Sequence, residues 1–477
     1  MSKLPDIKTN FAEWYQEVIQ QAQLVDASPT RGCFVIRPYA YAVWENIQQE
    51  LDKKIKDLGA SNAYFPLLIP ESFLKKEAKH IEGFAPELAV VTHGGGKVLE
   101  EPLVVRPTSE TMIYYMFSKW ITSWRDLPLS INQWANVVRW EMRTRPFVRS
   151  LEFLWQEGHT AHRTKEEASA MAQAALQAYK DMYEYYLAVP VIAGEKSPTE
   201  RFAGADTTYT IEGLMQDGKA LQMCTSHLLA QSFPASFDVQ YQDSDGSMKT
   251  PYCTSWGFTT RSIGAVIMTH GDQDGLIMPP RIAPIQAVIV PIFKTPEEQA
   301  IVLEKAAALS QALKQQGVRV KVDTDVTTTP GAKFFHWELR GVPVRIEIGP
   351  KDIANNQAML VNRMEMDKAK KKTPASLDVI AQATIALLDT IQQGLYDRAL
   401  RRMQDNWHQA DKLADFGPAI DTKNGLYQAG WCGSADCEAK VKEYKGTIRC
   451  LLQEKKHAVC FHCTSQSISD VLVAKAY

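Results

Sequence analysis

The chain lacks any apolar stretch near the ~18 residues that cross a bilayer; its longest candidate, 287–293, has the length of a strand. A membrane is therefore not an expected partner. No apolar core follows Lys3, as a secretory leader would require, so a cytoplasmic, reducing setting is expected, in which disulfides do not persist. Charge of one sign is missing too: Lys+Arg number 53 against Asp+Glu 55, a net charge of -2. Without a global positive field DNA is not an expected partner, and any nucleic-acid contact must come from local patches. Cysteine is sparse, 8 in 477 residues, and uneven. Cys33, Cys224 and Cys253 are scattered, whereas Cys432, Cys437, Cys450, Cys460 and Cys463 crowd the end of the chain, which points to a metal rather than to bridges. Internal repeats and low-complexity tracts are absent. What remains, 45% hydrophobic and 23% charged residues, is ordinary globular usage, and the length suits roughly two to four domains.

Asn10 ahead of Phe11, Trp14, Tyr15, Val18 and Ala22 predicts an amphipathic helix with Asn10 as N-cap and Glu13 completing a capping box. A longer helix is predicted over 39–58, with Val43, Trp44, Ile47, Leu51, Ile55 and Leu58 on one face and Gly59 ending it. A strand over 63–69 follows. Pro66 gives up a ladder hydrogen bond there, so it belongs at an edge of the kind that meets a partner subunit. Strand-like pieces at 151–155, 208–211 and 265–268 around a helix at 165–187 predict an antiparallel sheet with helices packed on it. The run Pro279-Pro280-Arg281-Ile282-Ala283-Pro284 breaks both periodicities and marks a boundary. Beyond it, strand 287–292, helix 296–316, strand 318–322, helix 333–340 and strand 342–348 predict a small α/β unit with parallel pairing. Lys368-Ala369-Lys370-Lys371-Lys372 reads as a solvated face, 376–413 as mostly helical, and Gly417-Pro418 as the start of the cysteine-bearing segment.

The richest stretch runs from Val138 to His159 and reads as strand, basic loop, strand. Arg139 and Glu141, two apart on a strand, would share a face, and the guanidinium offers a planar fork for an anionic oxygen. Arg143, Arg145 and Arg149 add cations in the loop, where polyphosphate or nucleic acid can be met. Phe153 offers a flat face for a heterocycle. Taken alone, Arg139 and Glu141 read as a surface ion pair.

Arg-x-Glu, a basic loop and then Arg-x-x-x-Phe resembles motif 2 of the class II aminoacyl-tRNA synthetases. Pro66 after the long helix resembles motif 1, the dimer-forming helix and strand. Gly257-Phe258-Thr259-Thr260-Arg261, on a strand leading into a helix around 263–268, resembles motif 3, so the apolar run 265–268 carries two readings. Beside them stand Arg106-Pro107-Thr108-Ser109-Glu110, Phe153-Leu154-Trp155-Gln156-Glu157-Gly158-His159, Thr225-Ser226-His227, Leu276-Ile277-Met278-Pro279-Pro280-Arg281, Thr329-Pro330-Gly331-Ala332-Lys333-Phe334, Gly349-Pro350-Lys351-Asp352 and the closing Ala474-Lys475-Ala476-Tyr477. Together these resemble the prolyl-tRNA synthetases of the archaeal/eukaryotic-like type, whose chains end in a zinc-binding domain.

The resemblance implies an α/β multidomain protein: a class II catalytic core on an antiparallel sheet (1–283), an α/β anticodon-binding domain (284–399) and a small C-terminal zinc-binding α/β domain (400–477). It implies a cytoplasmic homodimer that uses ATP and Mg2+ to join L-proline to tRNA(Pro) through prolyl-adenylate. Arg139 and Arg261 would be catalytic. Thr108, Glu110, Arg139 and His227 would bind proline, in a pocket shaped by Trp155, Glu157 and Ser255. Arg139, Glu141, Arg149, Ser150, Gln222, Thr225, Thr259 and Arg261 would form the ATP site, with Phe153 against adenine. Lys333, Phe334, Glu338, Arg345 and Lys351 would meet the anticodon. Cys432-x4-Cys437 and Cys460-x2-Cys463 supply two pairs near finger spacing for a structural Zn2+, with Cys450, His457 and His462 as competing ligands. Tyr477 would reach toward the active site. Met223-Cys224 stands where the family usually has small residues, and Cys224 is expected to be a small buried hydrophobe. The stretch between Phe153 and Trp256 leaves no room for a large alanine-editing insertion.

Two other readings compete. One is a synthetase-like tRNA-binding protein without catalysis, which the presence of Glu110, Arg139 and Arg261 disfavours. The other is a sister class II enzyme for threonine, serine or glycine, which Thr108-Ser109-Glu110 and the terminal cysteines disfavour.

Overall fold

Burial of aromatic faces organises the N-terminal part. The computed structural model describes residues 3–75 and 88–477. Helix Phe11–Gln21 buries Trp14 and Tyr15 completely, but the Asn10 side chain makes no capping bond. Asp6 holds the preceding turn instead, its carboxylate accepting from the amides of Lys8 and Thr9 at 2.8 and 3.0 Å. Helix Pro38–Asp57 follows, with Pro38 in its first turn, where a missing N–H costs nothing. Gly59 ends it at φ +87°, a left-handed conformation natural to glycine.

The central sheet runs, in spatial order, Ile192–Glu195, Thr207–Leu214, Ala220–Ala230, Tyr252–Thr259, Glu152–His162 and Leu129–Val138, all antiparallel, with Ser61–Asn62 added in parallel at the edge. Helices Lys165–Asp181, Pro38–Asp57 and Arg261–His270 cover one face and share one apolar core with Trp256 and Phe258. Gly158 is required there, because a Cβ would lie 2.2 Å from the Trp256 ring. The described chain from 153 to 256 is spent on the sheet and its helices.

Three expectations about this region need correction. The chain at 63–69 is not one strand: Ser61–Asn62 pairs in the central sheet, while Leu68–Pro70 joins a separate three-stranded sheet with Lys97–Val105 and Ala89–Gly94. Pro66, which cannot donate to a ladder, lies where the chain changes sheets. Residues 265–268 are helical, within Arg261–His270. Every residue from Ser262 to His270 is buried, so no polar face was left to reveal the helical period. Arg139 and Glu141 lie past the end of Leu129–Val138, in the loop, and not on the strand.

Residues 285–379 form a five-stranded sheet in the order Val320–Val322, Ala287–Pro291, Val344–Ile348, Gln357–Asn362, Lys372–Ser376. The first three are parallel and the last two antiparallel, so the parallel expectation holds for only part of it. The basic run is half tied down: Lys371 pairs with Glu338, and Lys372, which opens the edge strand, lies 2.8 Å from Glu347. Helix Ile380–Asp405 then returns to the central unit. Arg398 and Arg402 donate to the carbonyls of His270 and Thr269 at 2.9 and 2.6 Å, placing cations at the negative end of helix Arg261–His270.

The final unit holds helices Leu413–Thr422 and Ala435–Lys442 and strands Leu426–Trp431, Thr447–Leu452 and Ser469–Ala474. Gly417-Pro418 does not open it; both lie inside the first of these helices. Strand Thr447–Leu452 touches Ile192–Glu195 through the pair Leu451 and Glu195, so among the described residues one eleven-stranded sheet runs through both units. No helix among the described residues is long and apolar enough to cross a membrane.

Candidate active site and cysteine cluster

A cavity of about 290 Å³ opens on the face of the central sheet. Its lining includes Thr108, Glu110, Arg139, Glu141, Arg149, Ser150, Phe153, Trp155, Glu157, Gln222, Thr225, His227, Ser255, Thr259 and Arg261, so the structure brings every expected proline and ATP residue together. The strands explain how. Glu152–His162 and Tyr252–Thr259 lie side by side, opposing Glu157 to Gly257 and His159 to Ser255, while Ala220–Ala230 sets His227 against Ser255.

One end of the cavity is a closed polar network. The Thr108 hydroxyl donates to the Glu110 carboxylate, with Glu110 at the start of helix Glu110–Trp120. Ser109 Oγ and Gln133 Nε2 donate to Glu157 Oε1 at 2.6 and 2.7 Å, and His159 Nε2 meets Glu157 Oε2 at 3.0 Å. Burial alone would depress the His159 pKa, but the Glu157 hydrogen bond and charge hold it above the usual value. Thr208 Oγ1 and Thr225 Oγ1 each lie 3.0 Å from one of the two nitrogens of His227, and Phe202 stacks on its ring at 4.5 Å. Four buried polar atoms on this lining, Trp155 Nε1, Trp256 Nε1, His159 Nδ1 and Ser255 Oγ, have no hydrogen-bond partner among the described residues. Buried groups of that kind cost about 1–3 kcal/mol each unless something completes them.

The other end is cationic. Arg139 Nε donates to the Pro107 carbonyl at 3.1 Å, and its guanidinium sits 5.5 Å from the Phe153 ring and 5.7 Å from Trp155. Arg261 is braced by the carbonyls of Val148 and Gln222, both at 3.1 Å. Burial, with like charge from Arg149 and Arg139, pulls its pKa below the usual arginine value. Arg149 lies 3.6 Å from Glu141, and Ser150 Oγ donates to the Glu152 carbonyl at 2.8 Å. Two held guanidiniums beside a flat ring can take an anionic chain and a heterocycle together.

Sequence reasoning missed His159, Lys196, Glu200, Phe202 and Thr208, which also line the cavity. His159 was findable, since i, i+2 spacing on a strand puts it on the face of Glu157 and Trp155. The segment 196–202 carries no local signal. Cys224 is buried on the lining, its thiol pushed well up by burial, in keeping with a small hydrophobe.

The five expected anticodon residues are less uniform. Phe334 lies 4.3 Å under the Arg345 guanidinium, Arg345 Nε donates to Glu347 at 3.0 Å, and Glu338 takes Lys371. Lys333 is only 4% exposed and pairs with Asp323 at 3.0 Å, so a base would have to displace that partner. Lys351 stands exposed on the short helix Pro350–Ala354.

The Sγ atoms of Cys432, Cys437, Cys460 and Cys463 all lie within 4.8 Å of one another. Cys432 is 3.7 Å from Cys437 and 3.6 Å from Cys463, too far for a disulfide of about 2.05 Å. A tetrahedron with metal–sulfur bonds of about 2.3 Å has edges of roughly 3.8 Å, so the thiols fit a four-coordinate ion with no open position. Hydrogen bonds from Ser465 hold the Cys463 thiol down at about 6, whereas burial pushes Cys432 and Cys437 up. The competing ligands stand apart: Cys450 is buried on strand Thr447–Leu452, and His457 Nδ1 is committed to Asp470 at 2.8 Å. Tyr477 does not line the cavity; its amide donates to Ala220 at 3.1 Å and Arg145 of the basic loop lies 5.5 Å from its ring.

Residues 97–270 match the family described as tRNA synthetase class II core domain (G, H, P, S and T), residues 286–382 the anticodon binding domain, and residues 413–477 the C-terminal region of prolyl-tRNA synthetase. Among curated proteins, Proline--tRNA ligase 2 of Clostridioides difficile (strain 630) is 49% identical over 480 residues, covering 100% of this chain and 98% of the relative. Proline--tRNA ligase of Alkaliphilus oremlandii (strain OhILAs) is 50% identical over the same shares. That of Chloroherpeton thalassium (strain ATCC 35110 / GB-78) is 48% identical, covering 100% of this chain and 99% of the relative.

Proposed function

The chain belongs to the prolyl-tRNA synthetases, and from that premise we propose that the cavity on the central sheet is where it activates proline. The reaction is that of a proline–tRNA ligase: L-proline and ATP give prolyl-adenylate and diphosphate, and the prolyl group passes to the 3′ end of tRNA(Pro). As in class II synthetases generally, ATP enters with Mg2+. The observation that carries the assignment is the convergence on one cavity of a closed carboxylate and histidine network with two braced guanidiniums.

In this reading Glu110 receives the ring ammonium of proline, supported by Thr108 and His227, and Trp155, Glu157 and Ser255 bound the small pocket. The unpartnered atoms of Trp155, His159 and Ser255 support a polar guest there. A proline carboxylate oxygen attacks the α-phosphorus; the new O–P bond forms as the bond to the β-phosphate oxygen breaks and diphosphate leaves with its charge. Both reactants are anions, so the protein's task is to neutralise and align rather than to take a proton. Arg139 and Arg261 are the catalytic residues in that sense. Glu141, Arg149, Ser150, Gln222, Thr225 and Thr259 hold the nucleotide, with adenine against Phe153. A ribose hydroxyl of the tRNA end then attacks the carbonyl carbon of the adenylate and AMP leaves, a step governed by positioning.

The remaining parts follow the same reading. Residues 284–399 bind the anticodon, which meets Phe334, Arg345, Glu338 and Lys351, with Lys333 behind them. The four cysteines hold a structural Zn2+ within 400–477, the ion supplying fold rather than chemistry. A homodimer forms across the 61–70 region, where Tyr64 is 72% exposed and Leu67 and Leu68 are exposed beside it. The setting is cytoplasmic.

The test is proline-dependent exchange of diphosphate into ATP without tRNA, run across the amino acids. Exchange with proline, abolished in a folded Arg139→Ala variant, is the expected outcome. Normal exchange in that variant would remove Arg139 from the site.

A further inference from the structure

Segment 196–202 joins parts of the chain that are remote in sequence. Outward, the cysteine-bearing unit grips it. Ser197 Oγ donates to Glu438 Oε1 at 2.6 Å, Lys196 Nζ donates to the Arg449 carbonyl at 2.9 Å, and Lys442 Nζ lies 3.2 Å from Glu200 Oε1. Ser197 and Glu438 are 0% and 2% exposed, and the second Glu438 oxygen has no partner among the described residues. Glu438 follows Cys437 on helix Ala435–Lys442, so the cysteine cluster anchors the very turn that holds Ser197. Inward, Lys196, Glu200 and Phe202 line the cavity. The Phe202 ring stacks on His227, and its amide donates at 3.1 Å to Thr208 Oγ1, the hydroxyl that also meets His227.

We propose that Ser197 and Glu438 are positioning residues for proline: through this buried bond the C-terminal unit holds segment 196–202 so that Phe202 keeps His227 in place, and so sets proline affinity without touching the substrate. The inference rests on the reading above that the His227 end of the cavity receives proline. A hydrogen bond to a buried carboxylate is among the stronger ones a protein makes, enough to decide how a short loop segment sits. Neither residue supports Arg139, Arg149 or Arg261, which are braced by Pro107, Val148, Gln222 and Glu141. The effect is therefore one-sided, on proline and not on ATP.

Diphosphate exchange on the full chain, with separate KM values for proline and ATP and with bound zinc measured, tests it. Ser197→Ala and Glu438→Ala are expected to raise the proline KM roughly five- to twentyfold, leaving the ATP KM within about twofold. Glu438→Gln, whose amide oxygen still accepts from Ser197, should restore most of the loss, and the double alanine variant should be no worse than either single one. If Glu438→Ala sheds zinc, Ser197→Ala decides, because it replaces no residue of the cysteine unit and its own zinc content is measured alongside. An unchanged proline KM in folded Ser197→Ala, or an equal rise in both KM values, overturns the inference. Glu110→Gln serves as reference: if it fails to move the proline KM, the pocket assignment falls and the inference with it; if it moves the KM and Ser197→Ala does not, only the inference falls.

Discussion

The cavity of the central sheet and the five-stranded unit differ in how far their polar groups are satisfied. In the cavity, Trp155, His159 and Ser255 each keep a buried polar atom without a partner. In the five-stranded unit, Lys333, Arg345, Lys371 and Lys372 are already paired with Asp323, Glu347 and Glu338. On the proposed assignment a small substrate supplies the missing partners itself. A large polyanion makes many weak contacts, and there a reader can stay satisfied until a base exchanges with its partner. On that assignment the small ligand is selected through unmet need and the large one through replaceable pairs.

The comparison can be broken at several points. The largest effect is expected from Arg261→Ala or Arg139→Ala, which should lower kcat/KM for adenylate formation by about 10²–10³ or more, with little change in melting temperature; exchange kinetics beside thermal denaturation check it. Metal removal comes next. Prolonged chelation should loosen residues 432–463, seen as faster amide exchange there and a lowered melting temperature, because structural zinc sites contribute on the order of 10 kcal/mol to the fold of their segment. Phe334→Ala should weaken aminoacylation roughly tenfold, the size of one base stack, while diphosphate exchange without tRNA stays unchanged; a drop in both would place Phe334 outside tRNA recognition.

A subtler case sits where the central sheet meets the C-terminal unit. Glu212 is fully buried, and although burial works to raise its pKa, Lys196 and Arg449 bring it below the ordinary 4.5. A group lowered in the folded state stabilises the fold above its ordinary pKa and stops doing so as the pH falls through the lowered one. The stability gap between the unaltered chain and Glu212→Gln should therefore be full near neutrality and shrink below pH 4.5, as paired thermal melts would measure. A gap that does not vary with pH would mean Glu212 acts by shape alone.

The site was more legible than the frame around it. The motif resemblance carried Arg139, Glu157, Thr225, His227 and Arg261; period two accounts only for Glu157 and for Thr225 with His227, since Arg139 lies in a loop and Arg261 at the start of a helix. Helix Arg261–His270 was hard to read from periodicity because it is buried all round, and the change of sheets at Pro66 because proline marks a break without saying where the chain goes next. Segment 196–202 stayed hidden for a different reason. Its importance lies in what Glu438, Lys442 and Arg449 do to it, and those residues arrive more than 200 positions later.

The unbroken eleven-stranded sheet has a bearing on how the chain can be cut. A truncation before Leu413 would remove the strand that meets Ile192–Glu195 at Leu451 and Glu195, leaving that strand as an uncovered sheet edge open to another extended chain. It would also leave the Glu212 carboxylate with one cation where it now has two. The last strands thus act as a cap against misassociation, and a shortened chain should clump in the test tube before it loses its catalytic machinery.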